Sequence, residues 1–139
     1  MAYKLNDALG YLVNIVAGRY KNEIYSVLAP YDLTPEQWIV LNRLWEGDGK
    51  TQRELAIETF KDEPNIARIL QKLECKAYVH RCADCKDRRI MLVYITETGK
   101  CVAEAALPVI FDYQKRMTKR LSDSEVLLLK GLLKKLMGN

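Results

Sequence analysis

Histidine is nearly missing from this chain: His80 is the only one in 139 residues. With one imidazole and no Ser-His-Asp set, acyl-transfer chemistry has no candidate residues. A glycine-rich phosphate loop is also missing. The only Cys-x-x-Cys, at Cys82 and Cys85, lies outside the strand-to-helix setting of thiol oxidoreductases, so neither an enzyme nor a cofactor is expected. No apolar run approaches the ~18 to 20 residues of a membrane span. Met1-Ala2-Tyr3-Lys4 leads straight into a patterned helix instead of a cleavable signal, so a cytoplasmic protein with no membrane partner is expected. Repeats, low-complexity stretches and linkers are missing too, and residues 1–139 read as a single domain.

What is present suits a globular core: 49% of residues are apolar and 29% charged. The net charge of +4 permits an anionic partner without demanding one, so the placement of the charges matters more than their sum. Four cysteines, Cys75, Cys82, Cys85 and Cys101, would sit in a reducing compartment as thiols that are either inert or sensory.

Both ends read as long helices with more apolar surface than a monomer needs. Leu5, Leu9, Leu12, Val16, Tyr20, Ile24 and Leu28 form one helical stripe, closed by Pro30. Ser122-Asp123-Ser124-Glu125 is a capping box ahead of Val126, Leu127, Leu128, Leu129, Leu132, Leu133, Leu136 and Met137. That many large apolar side chains cannot all face one core, so the terminal segments, 3–30 and 96–139, are expected to dimerise. A third helix opens at Thr96 and carries Ala103, Ala106, Leu107, Ile110, Tyr113 and Met117 on one side. Pro108 should kink it without ending it.

Residues 33–95 carry the chemistry. Thr34 caps a helix with Pro35 at its first position and Glu36 in its first turn; Trp38, Ile39, Leu41, Leu44 and Trp45 supply its buried face, and Gly47-Asp48-Gly49 ends it. Thr51-Gln52-Arg53-Glu54 reads as a capping box before a two-turn helix. A break near Phe60-Lys61 and a new cap at Asp62 or Glu63 complete helix-turn-helix punctuation. In the second helix Ile66, Ile69, Leu70 and Leu73 face the core, which leaves Asn65, Arg68, Gln71 and Lys72 outward. Asparagine can pair bidentately with adenine and arginine with guanine, so this face can read a major groove.

Two strand-like runs follow, about Tyr78 to Cys82 and Arg89 to Ile95, joined by a basic loop. Between Lys76 and Ile90 the cations Lys76, Arg81, Lys86, Arg88 and Arg89 face only Asp84 and Asp87. Arginine at such a tip suits a narrow minor groove, with a neighbouring aspartate to orient it. The class is therefore mainly α with a small β-hairpin wing (α+β), a winged helix-turn-helix. The expected partner is double-stranded DNA, met by Thr51, Gln52, Asn65, Arg68, Lys72, Lys86, Asp87, Arg88 and Arg89. The same wing carries Cys82 and Cys85, where nearby cations would favour thiolates, so thiol redox is an alternative input. A four-cysteine metal site is excluded by the on the order of 10 to 15 Å separating the base of the hairpin from its tip at ~3.3 Å per residue. His80 shares a strand face with Cys82 and leaves a three-ligand site with Cys85 conceivable. A winged helix used for protein contact or non-specific DNA binding is the further alternative.

The ordered set Leu33-Thr34-Pro35-Glu36-Gln37-Trp38, Thr51-Gln52-Arg53-Glu54-Leu55-Ala56, Pro64-Asn65-Ile66-Ala67-Arg68, Val79-His80-Arg81, Asp87-Arg88-Arg89 and Ile95-Thr96-Glu97-Thr98-Gly99 resembles the MarR family of bacterial transcriptional regulators. The resemblance covers nearly the whole chain. It implies a homodimer on a pseudo-palindromic operator, with Arg68 as the recognition-helix arginine and Asp87 and Arg89 as the wing pair. It also implies repression relieved by a small aromatic acid, for which Tyr11, Tyr20, Trp38 and Tyr113 are the candidate contacts. Ala77 departs from the pattern: it stands where the family usually has glycine, and a left-handed helix exit there would cost about 1 kcal/mol. Ala67 stands where threonine is common.

Overall fold

In the computed structural model, which describes residues 2–138, six α-helices and one hairpin follow each other in the order the punctuation predicts. The first helix, α1 (Leu9–Leu28), begins later than the apolar stripe suggests. Leu5–Asp7 form a 3-10 turn and Ala8, extended at ψ 124°, breaks the path. Pro30 sits in a second 3-10 turn that ends at Asp32 in the left-handed region, φ 54°. Thr34 then caps α2 (Pro35–Glu46) with a complete capping box: its hydroxyl accepts from Gln37 N while the Gln37 amide oxygen accepts from Thr34 N.

The cap of α3 (Gln52–Thr59) is only half a box. Thr51 Oγ1 accepts from Glu54 N at 3.1 Å, but the Glu54 carboxylate takes the Thr51 hydroxyl, not its backbone amide. After Phe60, left-handed at φ 57°, Asp62 caps α4 (Glu63–Cys75) by accepting from Asn65 N at 2.7 Å. Strands β1 (Val79–Ala83) and β2 (Met91–Ile95) pair antiparallel from Val79 opposite Ile95 to Ala83 opposite Met91. Lys50 bridges Val93 on the other edge of β2. The second strand therefore starts at Met91 and not at Arg89: Ile90 N donates to Asp87 O and Ile90 O accepts from Asp84 N, which keeps Arg89 and Ile90 in the loop. Thr96 caps α5 (Glu97–Met117), which continues through Pro108, and Ser122 with Glu125 forms the expected box on α6 (Asp123–Leu136).

The core lies where α2, α3, α4, the hairpin and the inner faces of α1 and α5 meet. Leu41, Leu44, Leu55, Ile66, Leu70, Leu73, Val79, Val93 and Ala103 are essentially closed to water there. Burying one such leucine contributes roughly 1.5 to 3 kcal/mol. All four core positions expected on α4 are buried. On α2, Ile39 and Trp45 are exposed and Val40 and Gln37 are buried in their place. The helix is packed against α1, α4 and α5 together, so its buried face is wider and rotated relative to a single stripe. Gln37 is satisfied, because its amide oxygen also accepts from Lys76 Nζ at 2.8 Å, and that ammonium donates to Asp32 O as well. The end of α4 is thereby tied to the α1–α2 corner.

The terminal helices are bare by comparison. Only Ile24 and Leu28 of α1 are buried, and no residue of α6 is. Met117, expected on the inner face of α5, is exposed at the end that leads to α6.

Candidate nucleic-acid interface

The order cap, helix, left-handed break, cap, helix sets α3 and α4 against each other at their amino-terminal ends. Gln52 Nε2 donates to Glu63 O at 3.2 Å, linking the start of α3 to the first turn of α4. Thr51 and Gln52 are half-buried beside that turn. Asn65, Arg68 and Lys72 share one face of α4 and line a shallow depression of about 280 Å3 with Thr34, Glu36 and Gln37. Arg68 Nη2 donates to Asn65 Oδ1 at 3.4 Å, so the two residues expected to read bases present a joint donor-acceptor edge. Lys72 is exposed and makes no ion pair among the described residues.

At the wing tip the loop is shaped by two aspartates. Asp84 Oδ1 accepts from Lys86 N, and Asp87 Oδ1 accepts from Arg89 N. The Arg89 guanidinium lies against both Asp87 oxygens, Nε at 3.2 Å from Oδ1 and Nη2 at 3.3 Å from Oδ2. Those bonds hold the Asp87 carboxyl below the usual carboxylate range. Arg89 nonetheless keeps 90% of its side chain in solvent. Arg88 and Lys86 are exposed on the same loop.

The cysteines of the hairpin lie on its outer face and in its loop. Cys82 pairs with Leu92 on the outer hairpin face, beside His80 stacked on Tyr94 at 5.5 Å, and Cys85 sits in the loop. All four thiols are free and exposed. Among the described residues no three His, Cys, Asp or Glu side chains gather as metal ligands, so His80, Cys82 and Cys85 do not form the conceivable site.

The four aromatic candidates do not form one pocket. Tyr113 is buried, donates to Glu23 Oε2 at 2.8 Å and faces the Tyr20 ring at 5.9 Å, with the Arg116 guanidinium 5.7 Å over its own ring. Burial, then the bond to the Glu23 carboxylate, pushes the Tyr113 hydroxyl up to about 12. Burial also raises Tyr20. Tyr11 is exposed nine residues earlier on α1, roughly 13.5 Å away along the axis at 1.5 Å per residue. Trp38 is buried in the core of the lobe.

An open apolar groove of about 810 Å3 runs beside Tyr20, between Phe111 of α5 and Leu129 and Leu133 of α6. One residue outside the expected set faces the candidate interface: Arg81, which reaches toward α4. Strand alternation carried the signal, since Arg81 shares the inner face of β1 with buried Val79.

Comparison with known proteins agrees with this geometry. The family model of the transcriptional regulators SarA/Rot matches residues 23–105. The chain is 31% identical over 130 residues to the multiple antibiotic resistance protein MarR of Escherichia coli, covering 93% of this chain and 90% of that protein. It is 30% identical over 96 residues to the regulator TtmR of Methylorubrum extorquens, where it covers 69% of this chain and spans about half, 49%, of that relative. A cysteine-to-serine variant of E. coli MarR complexed with operator DNA is 30% identical and superposes with a TM-score of 0.86 over 92% of both chains. The repressor CouR bound to a 23-mer DNA duplex is 26% identical and superposes with a TM-score of 0.91 over 99% of both chains.

Proposed function

The chain belongs to the MarR family of winged helix-turn-helix transcriptional regulators, and from that premise we propose that it represses a promoter by occupying a pseudo-palindromic operator as a homodimer, and that a small aromatic acid releases it. The wing tip carries the proposal. Arg89 is almost fully exposed yet held by two Asp87 oxygens, so a cation fixed in advance is offered to a minor groove and loses less freedom on entering it. The edge formed by Asn65 and Arg68 takes the adjacent major groove.

Dimerisation is supported by α6, whose leucines, among them Leu128 at 62% and Leu132 at 48% exposure, stay largely open to water. Two lobes must then span grooves about 34 Å apart, so a shift of a few ångströms between them is enough to break the match. Release by an aromatic acid is supported by Tyr20, exposed beside the apolar groove, and by Arg116, whose guanidinium would exchange its exposed pairing with Asp112, at 3.4 Å, for a ligand carboxylate. CouR of Rhodococcus jostii, 26% identical to this chain, has been solved bound to p-coumaroyl-CoA. A thiol input is the second reading, favoured by the exposure of Cys82 and Cys85 in the hairpin that carries Arg89.

One experiment tests all of this: selection of preferred duplexes from random sequence, then gel shifts at physiological salt with aromatic acids, reductant and peroxide. Arg89→Ala should weaken binding about tenfold or more, and Arg68→Ala should remove about 1–3 kcal/mol of base discrimination. Unchanged binding in both variants, or no preferred sequence, overturns the reading. Affinity indifferent to peroxide removes the thiol input, and indifference to aromatic acids removes the ligand.

A further inference from the structure

Arg81 is placed unlike the other arginines of the lobe. Its register opposite Val93 puts it on the inner hairpin face, beside Val79 and Ile95, which are 1% and 5% exposed. The side chain is therefore sent along the sheet toward α4 and is only 28% exposed. Its Nε is shielded from solvent and has no hydrogen-bond partner. Glu74 Oε2 lies 3.4 Å away, near enough for charge attraction but outside hydrogen-bond geometry. Arg43, Arg68 and Arg89 each donate to a neighbour and Arg53 and Arg88 are exposed to water, whereas Arg81 has a shielded Nε that donates to none of the described residues. Glu74 and Arg81 line an open cleft of about 620 Å3 between α4 and the hairpin, with Ala67, Arg68, Gln71 and Met91 around them.

That cleft separates the recognition helix from the wing. When one enters the major groove and the other the adjacent minor groove, the phosphate strand dividing the two grooves must run through the gap between them. Two guanidiniums and an amide face that gap, and the small Ala67 side chain leaves room for a backbone to approach.

We propose that Arg81 binds a phosphate of the strand lying between the two grooves, and that Glu74 is a built-in competitor for it, holding sequence-independent affinity down. The inference rests on the lobe being a duplex-binding module. A guanidinium held to Glu74 by charge attraction alone gives up little on turning to a phosphate oxygen, with which it can form a well-aligned fork. Phosphate contacts carry no base information, so the carboxylate sets how tightly the protein holds any duplex without changing which duplex it prefers.

The test is anisotropy titration of the selected duplex and of a random duplex across salt concentrations, on the full chain, with melting temperature recorded for each variant. Glu74→Gln should tighten both duplexes about three- to fivefold at low salt, the scale of one exposed ion pair. Arg81→Ala should weaken both in parallel and reduce the salt slope by about 0.9, the contribution of one phosphate contact. In the double variant the gain from Glu74→Gln should vanish, because the carboxylate acts through Arg81. A gain that persists without Arg81 overturns the proposal in favour of a general field effect. Weaker binding by Glu74→Gln with a lowered melting temperature overturns it in favour of a structural ion pair. Wild-type protein that binds neither duplex sinks the functional reading itself. Arg89→Ala weakening both duplexes while Glu74→Gln tightens neither leaves that reading standing and overturns only this inference.

Discussion

Replacing Ala77 with glycine should stabilise the protein. Helix α4 ends in a double-bonded reversal: Tyr78 N donates to Leu73 O at 3.0 Å and Ala77 N to Glu74 O at 2.9 Å. That pattern needs a left-handed residue between them, and Ala77 supplies it at φ 62°. An L-residue with a Cβ is about 1–2 kcal/mol above glycine there. Glycine returns part of this by widening the unfolded ensemble, about 0.4–1 kcal/mol. Ala77 is exposed, so removing its methyl forfeits little packing. The net gain is about 0.5–1 kcal/mol. At about 3–4 °C per kcal/mol for a chain of this size, that is a rise of roughly 2–4 °C in Tm.

Urea unfolding at fixed protein concentration, needed because the stability of the proposed dimer would depend on it, should show a higher midpoint with an unchanged slope. Ala77→Val, branched at Cβ, should move the midpoint the other way. Operator affinity should hold, since Thr96 Oγ1 still meets the residue 77 carbonyl, as in the 2.6 Å bond here, and α4 keeps its path into the hairpin. A midpoint unchanged or lowered by Ala77→Gly would refute the view that this exit is strained.

Three other outcomes follow from the geometry. Gly99→Ala should destabilise by at least about 3 kcal/mol or leave an insoluble product on expression, because the new Cβ would fall on the Tyr78 carbonyl oxygen and only 2.8 Å from Ile95 Cγ1; a soluble variant with wild-type melting contradicts this. Leu129→Asp with Leu133→Asp places charge in the apolar groove and should raise the dimer dissociation constant about 100-fold or more, as read by light scattering, while leaving the lobe folded by circular dichroism. The folded pKa of Tyr113 lies above its ordinary value, so the stability it contributes is intact below pH about 10 and is lost as pH rises through about 12. Glu23→Gln should lower that tyrosinate midpoint in an ultraviolet titration, and an unmoved midpoint would break the link between the two residues.

Most of the lobe was legible in the chain because its signals are local. Caps at Thr34, Thr51, Asp62, Thr96 and Ser122 act on amides within three residues, and the four core positions of α4 repeat at helical spacing. The Asp87–Arg89 pair is equally local, two residues apart. Ile39 and Trp45 lie outside the core because burial on α2 depends on which helices surround it, and the first helix breaks at Ala8, an alanine that by itself favours helix.

The sequence by itself determined the order of elements, the placement of Asn65 and Arg68 on one face of α4, and the wing in which Asp87 holds Arg89. Each of these follows from hydrogen bonds and periodicities that close within a few residues. Tertiary structure alone decided that Tyr20 and Tyr113 meet while Tyr11 and Trp38 lie elsewhere, and that Arg81 faces Glu74 across the cleft. Those outcomes depend on packing between separate elements, whose distances no local spacing encodes.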